Sequence, residues 1–283
     1  MAVTFAATFP RRIPKSVPVY ELPKPAVSQA SVVALAQAFG LKGDAKEFVT
    51  SPEAIGYAEQ RYVLEVHRAS GAVRYRHADA YGRQTEQPFD LTDQRVTGLA
   101  RRFLAQSGVI DPASARVARV THLRAASADV ESRRPREAIL DAGVVYRRSI
   151  DGIGVTGPGG VAMVNIGTDA TVTGLTAVWR PLGRRRASVA ILPAERVVAA
   201  FEKEAAKWKG DTTVVKAEFG YFEQGDLEGQ SVIEPAYAMV YVVRAGEVAF
   251  KSAYVVPAGE KTFAPLLGKK RFPAPETRRP KPK

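Results

Sequence analysis

A glycine motif, Gly152-x-Gly154-x-x-Gly157, follows a predicted strand and is the first candidate for chemistry in this chain. In dinucleotide-binding proteins such a motif leads into a helix, whose N-terminal amide groups and dipole bind the pyrophosphate. Here it leads into Pro158, two more glycines and another strand-forming segment. The pattern therefore favours a turn between strands, and no cofactor is predicted.

The three histidines, His67, His77 and His122, are the next candidates, because imidazole is a common metal ligand. Their spacing matches no zinc motif, and the chain has no cysteine. One interpretation places His67 and His77 opposite each other across a predicted hairpin, which would supply only two ligands. Ser70 and Ser188 lie in no G-x-S-x-G motif, and no Ser, His and Asp set can be assembled by spacing. The sequence therefore predicts neither a metal site nor an enzyme.

Arginine and lysine clusters are the remaining candidates, since they bind carboxylates and phosphates. Residues 184–186 link the end of one predicted unit to the next helix. They are interpreted either as a solvated linker or as a basic docking patch. Residues 124–136 are predicted as a loop, whose arginines at 133, 134 and 136 would form an anion-binding surface if they approached Arg147 and Arg148. The candidate partner-binding or anion-binding residues are Arg133, Arg134, Arg136, Arg147, Arg148, Arg184, Arg185, Arg186, Lys269, Lys270, Arg271, Arg278 and Arg279.

The net charge of +12 is concentrated at the two ends of the 283-residue chain. Residues 1–25 carry +3 and residues 261–283 carry +7, which leaves only +2 for residues 26–260. Both ends are also rich in proline, which favours extended or polyproline-like segments. The sequence therefore predicts basic Pro-rich terminal arms, a nearly neutral body and polyanion binding, if any, through the tails.

The sequence predicts three α+β units between the arms, at residues 26–90, 91–186 and 187–260. The helices and strands of these units must position the residues named above. Each unit begins with an amphipathic helix, at residues 28–39, 91–107 and 193–210, and continues as strands that close on Gly-centred hairpins. Residues 143–182 are predicted as three consecutive antiparallel strands. The expected fold is thus a repeat of helix plus antiparallel sheet, in which each sheet wraps its own helix.

Hydropathy sets the remaining limits. The chain has no apolar run of eighteen or more residues, so no membrane span is expected. Residues 1–30 lack the apolar region of a secretory signal. The absence of cysteine excludes disulfides and thiolate chemistry.

One strand pattern, over residues 144–175, has a recognisable arrangement: an apolar strand with a tyrosine, a turn, a second strand, and a Gly- or Asp-bearing hairpin. Its marks are Tyr146, Gly152, Val155, Gly157, Val164, Thr168, Asp169 and Val172. The pattern resembles the PepSY or FTP type of module. Residues 92–182 resemble it best, and residues 193–258 resemble it in outline. Several such modules in one chain are similar to bacterial extracytoplasmic regulators of the YycH and YycI type.

This resemblance implies PepSY- or cystatin-like layers and a non-catalytic role as inhibitor, chaperone or regulator of a peptidase or sensor kinase. It also implies an extracytoplasmic setting, although the sequence shows neither anchor nor signal. The leading hypothesis is therefore a regulatory module that binds another protein. The alternatives are a binder of nucleic acid or another polyanion through the basic tails, and a structural subunit of an assembly.

Overall fold

The structure is a computed structural model that describes residues 3–10, 12–43, 48–78, 88–128, 135–208 and 210–264, without the side chains of residues 127, 128, 135 and 136. The helices are α1 (Gln29–Ala38), α2 (Asp93–Ser107) and α3 (Ala194–Ala205), and a short 3₁₀ helix spans Pro112–Ser114. The strands are β1 (Val3–Phe5), β2 (Ser16–Glu21), β3 (Phe48–Thr50), β4 (Ala54–Glu59), β5 (Tyr62–His67), β6 (Val73–His77), β7 (Ala115–Ala128), β8 (Pro135–Ile150), β9 (Ile153–Thr156), β10 (Val161–Gly167), β11 (Val172–Val178), β12 (Arg185–Ala190), β13 (Asp211–Phe222), β14 (Val232–Ile233), β15 (Pro235–Ala245) and β16 (Val248–Pro257).

All three predicted helices are present, because their start and stop signals are local. Ser28 caps α1 by accepting a hydrogen bond from the Ser31 amide at 3.2 Å. Thr92 caps α2, and Gly108 ends it in the left-handed conformation, with φ 64°. The third helix differs at its end: α3 stops at Ala205, several residues before Gly210.

The predicted repeat of helix-plus-antiparallel-sheet layers is wrong. Strands account for 49% and helices for 17% of the structure, and most strands join one large mixed sheet. This sheet has thirteen strands in the order β16-β15-β13-β9-β8-β10-β11-β6-β5-β4-β3, with β1 beside β13 and β7 beside β8. Strands of different predicted units hydrogen-bond edge to edge, for example β6 with β11, because an exposed edge leaves backbone groups unpaired. The unit boundaries themselves stay a prediction.

The segment of residues 143–182 contains one more strand than expected. Strand β10 pairs antiparallel with the C-terminal half of β8 and with β11. In sequence, β9 lies between β8 and β10, and it pairs parallel with β13, with Val155 opposite Tyr221. The described residues of the predicted loop at 124–136 are also strand, since β7 and β8 pair as far as Ala128 and Pro135. Short strand β9 thus connects the two halves of the large sheet.

The N-terminal arm is not an extended appendage. Strand β1 pairs parallel with β13, and β2 is the middle strand of a second sheet, in the order β12-β2-β14. Val17 and Val19 alternate inward on β2 and are fully buried. Strand β2 tolerates a proline at position 18. Strand β14 pairs only with residues 20 and 21 of β2, so the edge of β2 that faces β14 needs no backbone N–H donor at Pro18.

The main core lies between one face of the large sheet and helices α1 and α2. A row of buried side chains crosses four strands on that face: Val164, Leu175, Tyr75 and Leu64. Val96, Ala100 and Leu104 of α2 pack on this face. A second cluster surrounds Phe201 of α3 on β13, β15 and β16. Within the described ranges, no helix has the length and apolarity to cross a lipid bilayer.

Candidate anion-binding surface

Part of the predicted arginine and lysine set lies outside the described residues: Arg133, Arg134, Lys269, Lys270, Arg271, Arg278 and Arg279. Arg136 is on β8, but its side chain is not described. The predicted approach of this loop to Arg147 and Arg148 therefore stays a prediction. The structure does place Arg147, Arg148 and the arginines at 184–186.

Arg147 and Arg148 point to opposite faces of the large sheet, because successive side chains of a strand alternate. Arg147 is exposed, and its Nη1 donates to the carbonyl of Gly157 at 3.3 Å. Arg148 is buried beside the ring of Trp179, with 5.4 Å between the guanidinium carbon and the ring centroid. Arg148 therefore belongs to the interior and is not available to a partner.

A buried ionic cluster surrounds Arg148, and its other members, Arg180 and Glu223, were not among the residues predicted from the sequence. Arg148 Nη1 lies 3.3 Å from Glu223 Oε2 and 2.6 Å from the carbonyl oxygen of Arg180. Arg180 Nη1 lies 3.5 Å from Glu223 Oε1, and its guanidinium also donates to the carbonyls of Gln224, Gly225 and Glu228. Burial lowers the pKa of Arg180, an effect that Glu223 opposes.

This cluster is a structural connection. It ties the end of β8 and the residues after β11 to the loop that follows β13. A buried guanidinium needs a carboxylate partner, and Glu223 serves two of them. No sequence spacing could have identified the trio, because the three residues are far apart in the chain.

The glycine motif packs against the same loop. Residues 157–160 turn directly into β10, so a strand and not a helix follows the motif, but the motif also contains strand β9, which the turn interpretation did not include. A Cβ at Gly157, where φ is +94°, would lie 2.6 Å from the carbonyl oxygen of Glu223. A Cβ at Gly159 would lie 2.4 Å from that of Gln224. These two glycines allow close backbone packing, which is their structural role.

The histidine interpretation is corrected by the strand register. His67 pairs with Ala54 and His77 pairs with Tyr62, so the two histidines lie at opposite ends of the hairpin β5–β6. His67 Nε2 contacts Glu65 at 2.7 Å, and His122 Nε2 lies 3.3 Å from Asp93. Within the part of the chain that the structure describes, no three His, Asp or Glu side chains form a group that could hold a metal ion.

Arg185 and Arg186 are the first residues of strand β12, and Arg184 directly precedes it, so this segment is not a solvated linker. Arg184 Nε lies 2.8 Å from Glu21 Oε2, and Arg185 donates to Ser188 Oγ. Arg186 lies over the ring of Phe263, 5.2 Å from its centroid. The arginines therefore sit on the three-stranded sheet, beside the last described residues before the basic tail.

The outward face of the large sheet, opposite α1 and α2, carries further arginines. Paired positions on this face form a row of Arg119, Val145, Met163, Thr176 and Arg74. A Cβ at Gly143 would lie 2.9 Å from Thr121 Oγ1 and 3.4 Å from Met163 Sδ, which confirms that these side chains share the face. We call this surface of β4–β8, β10 and β11 the open face.

Three arginines of the open face form one group, which we call the arginine cluster: Arg116 and Arg119 on β7 and Arg147 on β8. Arg116 lies directly opposite Arg147, and Arg119 lies opposite Val145. All three arginines are exposed. Among the described residues, Arg116 and Arg119 have no ion pair. The cluster therefore presents three positive charges to solvent.

The opposite part of the open face is less basic. Arg74 forms ion pairs with Asp226 and, at 3.9 Å, with Glu65, so its charge is largely compensated. Arg76 is exposed next to Val63. Among the described residues, Arg76 likewise forms no ion pair, so the uncompensated positive charge of this face lies at Arg76 and, in greater number, in the arginine cluster. Of its members, the sequence analysis identified only Arg147; the register that brings Arg116 and Arg119 beside it was not visible in the sequence.

Comparison with known proteins identifies no family. No protein-family model matches the chain. No curated protein sequence matches it. Among solved structures, the chain is similar to an uncharacterized protein from Eubacterium rectale, with 11% sequence identity over 91% of this chain and 89% of that chain and a TM-score of 0.49. The resemblance to PepSY-type modules therefore stays a prediction.

Proposed function

We propose that this chain is a non-catalytic binding protein that docks an acidic polypeptide on the open face of its large sheet. The observation that carries the proposal is the arginine cluster, in which three exposed guanidiniums share one surface. Clustered positive charge attracts an anionic partner, and guanidiniums bind carboxylates with two hydrogen bonds each.

The surroundings of the cluster favour a polypeptide over a nucleic acid. Val161 and Met163 lie beside the arginines and are half-buried, so that part of each side chain is accessible. The paired positions of the open face that the structure describes carry no Phe, Tyr or Trp, the side chains on which unpaired bases stack. A surface that combines guanidiniums with aliphatic side chains suits an acidic segment with apolar residues.

The test is a binding titration with a fluorescent acidic peptide of alternating glutamate and valine. The full chain is compared with the variant R116Q/R119Q/R147Q and with the control variant R95Q/R102Q/R196Q. The control removes the same charge from exposed arginines of α2 and α3. We expect the first variant to lose most of the affinity and the control to keep it. Equal affinities of both variants, or no binding by the full chain, would contradict the proposal.

A second candidate function, polyanion binding through the C-terminal tail, is favoured by one observation. The amides of Phe263 and Ala264 donate to the buried carboxylate of Glu234, at 3.1 and 3.2 Å, and Arg186 lies over Phe263. These contacts hold Phe263 and Ala264 beside the arginines of β12. The basic tail that follows them and these arginines would then bind the same polyanion.

A salt titration with duplex DNA tests this second function. Affinity should fall steeply as salt rises, because phosphate contacts release counterions. Removal of residues 265–283 should abolish binding. If the shortened chain binds duplex DNA as the full chain does, the tail is not the binding element.

A further inference from the structure

The arginine cluster exists because of a β-bulge. In a regular strand, side chains three residues apart point to opposite faces, so Arg116 and Arg119 would be separated. The pairing of β7 with β8 shifts between Val117 and Arg119, which leaves Ala118 as an extra residue. The bulge turns Arg119 to the same face as Arg116. Bulges are common next to functional sites, where they redirect a side chain.

The three guanidiniums can reach a common point. Residues directly opposite each other on antiparallel strands have Cβ atoms about 5 Å apart, and diagonal neighbours are about 7 Å apart. Arg116 and Arg147 are such an opposite pair, and Arg119 is the diagonal neighbour of Arg147. In the structure Arg147 Nη1 donates to the carbonyl of Gly157, which leads into β10, and β10 lies on the edge of β8 opposite β7. Arg147 would therefore turn from this bond to share an anion with Arg116 and Arg119.

The pair Arg116–Arg147 is also unfavourable by itself. Like charges directly opposite each other destabilise a sheet. The described carboxylate on the same face of β8 is Asp141, which lies six residues from Arg147 and accepts a hydrogen bond from Asn165 Nδ2 at 3.1 Å. A bound anion would remove the repulsion between the arginines.

We propose that the arginine cluster binds a phosphoryl group carried by a side chain of the partner polypeptide. This inference rests on the proposed function. A phosphate monoester carries a charge of about −1.5 to −2 at neutral pH and offers three acceptor oxygens. Three guanidiniums match this charge and these oxygens better than they match one carboxylate, which has a single charge and two oxygens.

The test uses three peptides that share the alternating glutamate and valine sequence and differ at the central residue, which is serine, phosphoserine or glutamate. Binding to the full chain is measured at constant ionic strength. The phosphoserine peptide should bind about tenfold or more tightly than the serine peptide, as expected for a new charge-assisted hydrogen bond. The variant R116Q should lose this preference, whereas the control variant R102Q should keep it.

The outcomes separate this inference from the proposed function. If the phosphoserine and glutamate peptides bind equally, the phosphoryl site is wrong and the acidic-polypeptide function stands. If none of the peptides binds, both are wrong. A preference for phosphoserine that persists in R116Q also overturns the site.

Two further probes complete the test. Inorganic phosphate should compete with the phosphoserine peptide more effectively than chloride at the same ionic strength, and failure to compete would contradict the site. A single-stranded DNA that binds more tightly than the phosphoserine peptide, and loses affinity in R116Q, would reassign the cluster to a nucleic acid.

Discussion

Arg148 Nη1 lies 3.3 Å from Glu223 Oε2, and the two side chains are almost completely shielded from solvent, at 3% and 0% exposed. The same carboxylate lies 3.5 Å from Arg180 Nη1. One buried acid therefore compensates two buried guanidiniums. This arrangement makes the fold sensitive to the loss of the Glu223 charge.

The substitution Glu223→Gln should lower the free energy of unfolding by about 3 kcal/mol or more, because it removes the carboxylate that both buried guanidiniums contact. Urea unfolding followed by circular dichroism measures the change. The matched control is Glu204→Gln, which removes an exposed pair with Lys207 and should have little effect. Similar losses of unfolding free energy in the two variants would show that the buried ion pairs of Glu223 contribute no more to stability than an exposed pair.

Two glycines of the same motif should respond differently to alanine. Gly152 and Gly157 both have positive φ, +80° and +94°, so each substitution introduces backbone strain of about 1–2 kcal/mol. A Cβ at Gly157 would in addition meet the Glu223 carbonyl at 2.6 Å, whereas a Cβ at Gly152 meets nothing within 4 Å. Gly157→Ala should therefore lower the thermal midpoint clearly more than Gly152→Ala. Equal shifts would argue against this close packing.

Removal of one charge from the arginine cluster should stabilise the protein. Arg116→Gln ends the repulsion with Arg147, and we expect a gain of about 0.2–1 kcal/mol at low salt. The gain should shrink at high salt, where exposed charges are screened. Unfolding at two salt concentrations measures both effects, with Arg102→Gln as the control. A loss of stability in Arg116→Gln would mean that this guanidinium already has a favourable partner.

A pH effect is expected at Glu59. The Tyr57 hydroxyl donates to its carboxylate at 2.5 Å, and the amides of Lys42 and Gly43 donate at 3.1 Å. These bonds hold the pKa of Glu59 below the 4.5 of an ordinary glutamate, the Tyr57 bond contributing most. The folded state thus favours the ionised form. Its contribution to stability is present above pH 4.5 and disappears as the pH falls through the lowered pKa.

The variant Glu59→Gln tests this effect through unfolding at several pH values. It should be less stable than the original chain at neutral pH, and the difference should narrow on acidification below about pH 4.5. A stability difference that stays constant across this range would show that ionisation of Glu59 does not contribute.

The helices could be predicted because their signals are local. The serine at position 28, the threonine at position 92 and the glycine at position 108 act on backbone groups within one turn. The glycine motif could be interpreted for the same reason, since the next residues show directly whether a helix follows. Local geometry depends on few neighbours, and the sequence shows those neighbours.

The sheet could not be predicted in the same way, since each strand could pair with many others. The pairing of Val155 with Tyr221, which joins the two halves of the large sheet, connects residues more than sixty positions apart. Proline and positive charge at the N-terminal end favoured an exposed arm. The alternating valines of β2 formed a strand in that segment because a second sheet was available to bury them.

The sequence by itself determined the composition, the lack of cysteine, the caps of α1 and α2 and the alternation that separates Arg147 from Arg148. Only the tertiary structure decided that Arg148 is buried against Glu223 and that Arg116 and Arg119 join Arg147 on one surface. The physical reason is register. A bulge of a single residue, Ala118, changes which face a side chain occupies, and the partner strand that defines this bulge is distant in the chain.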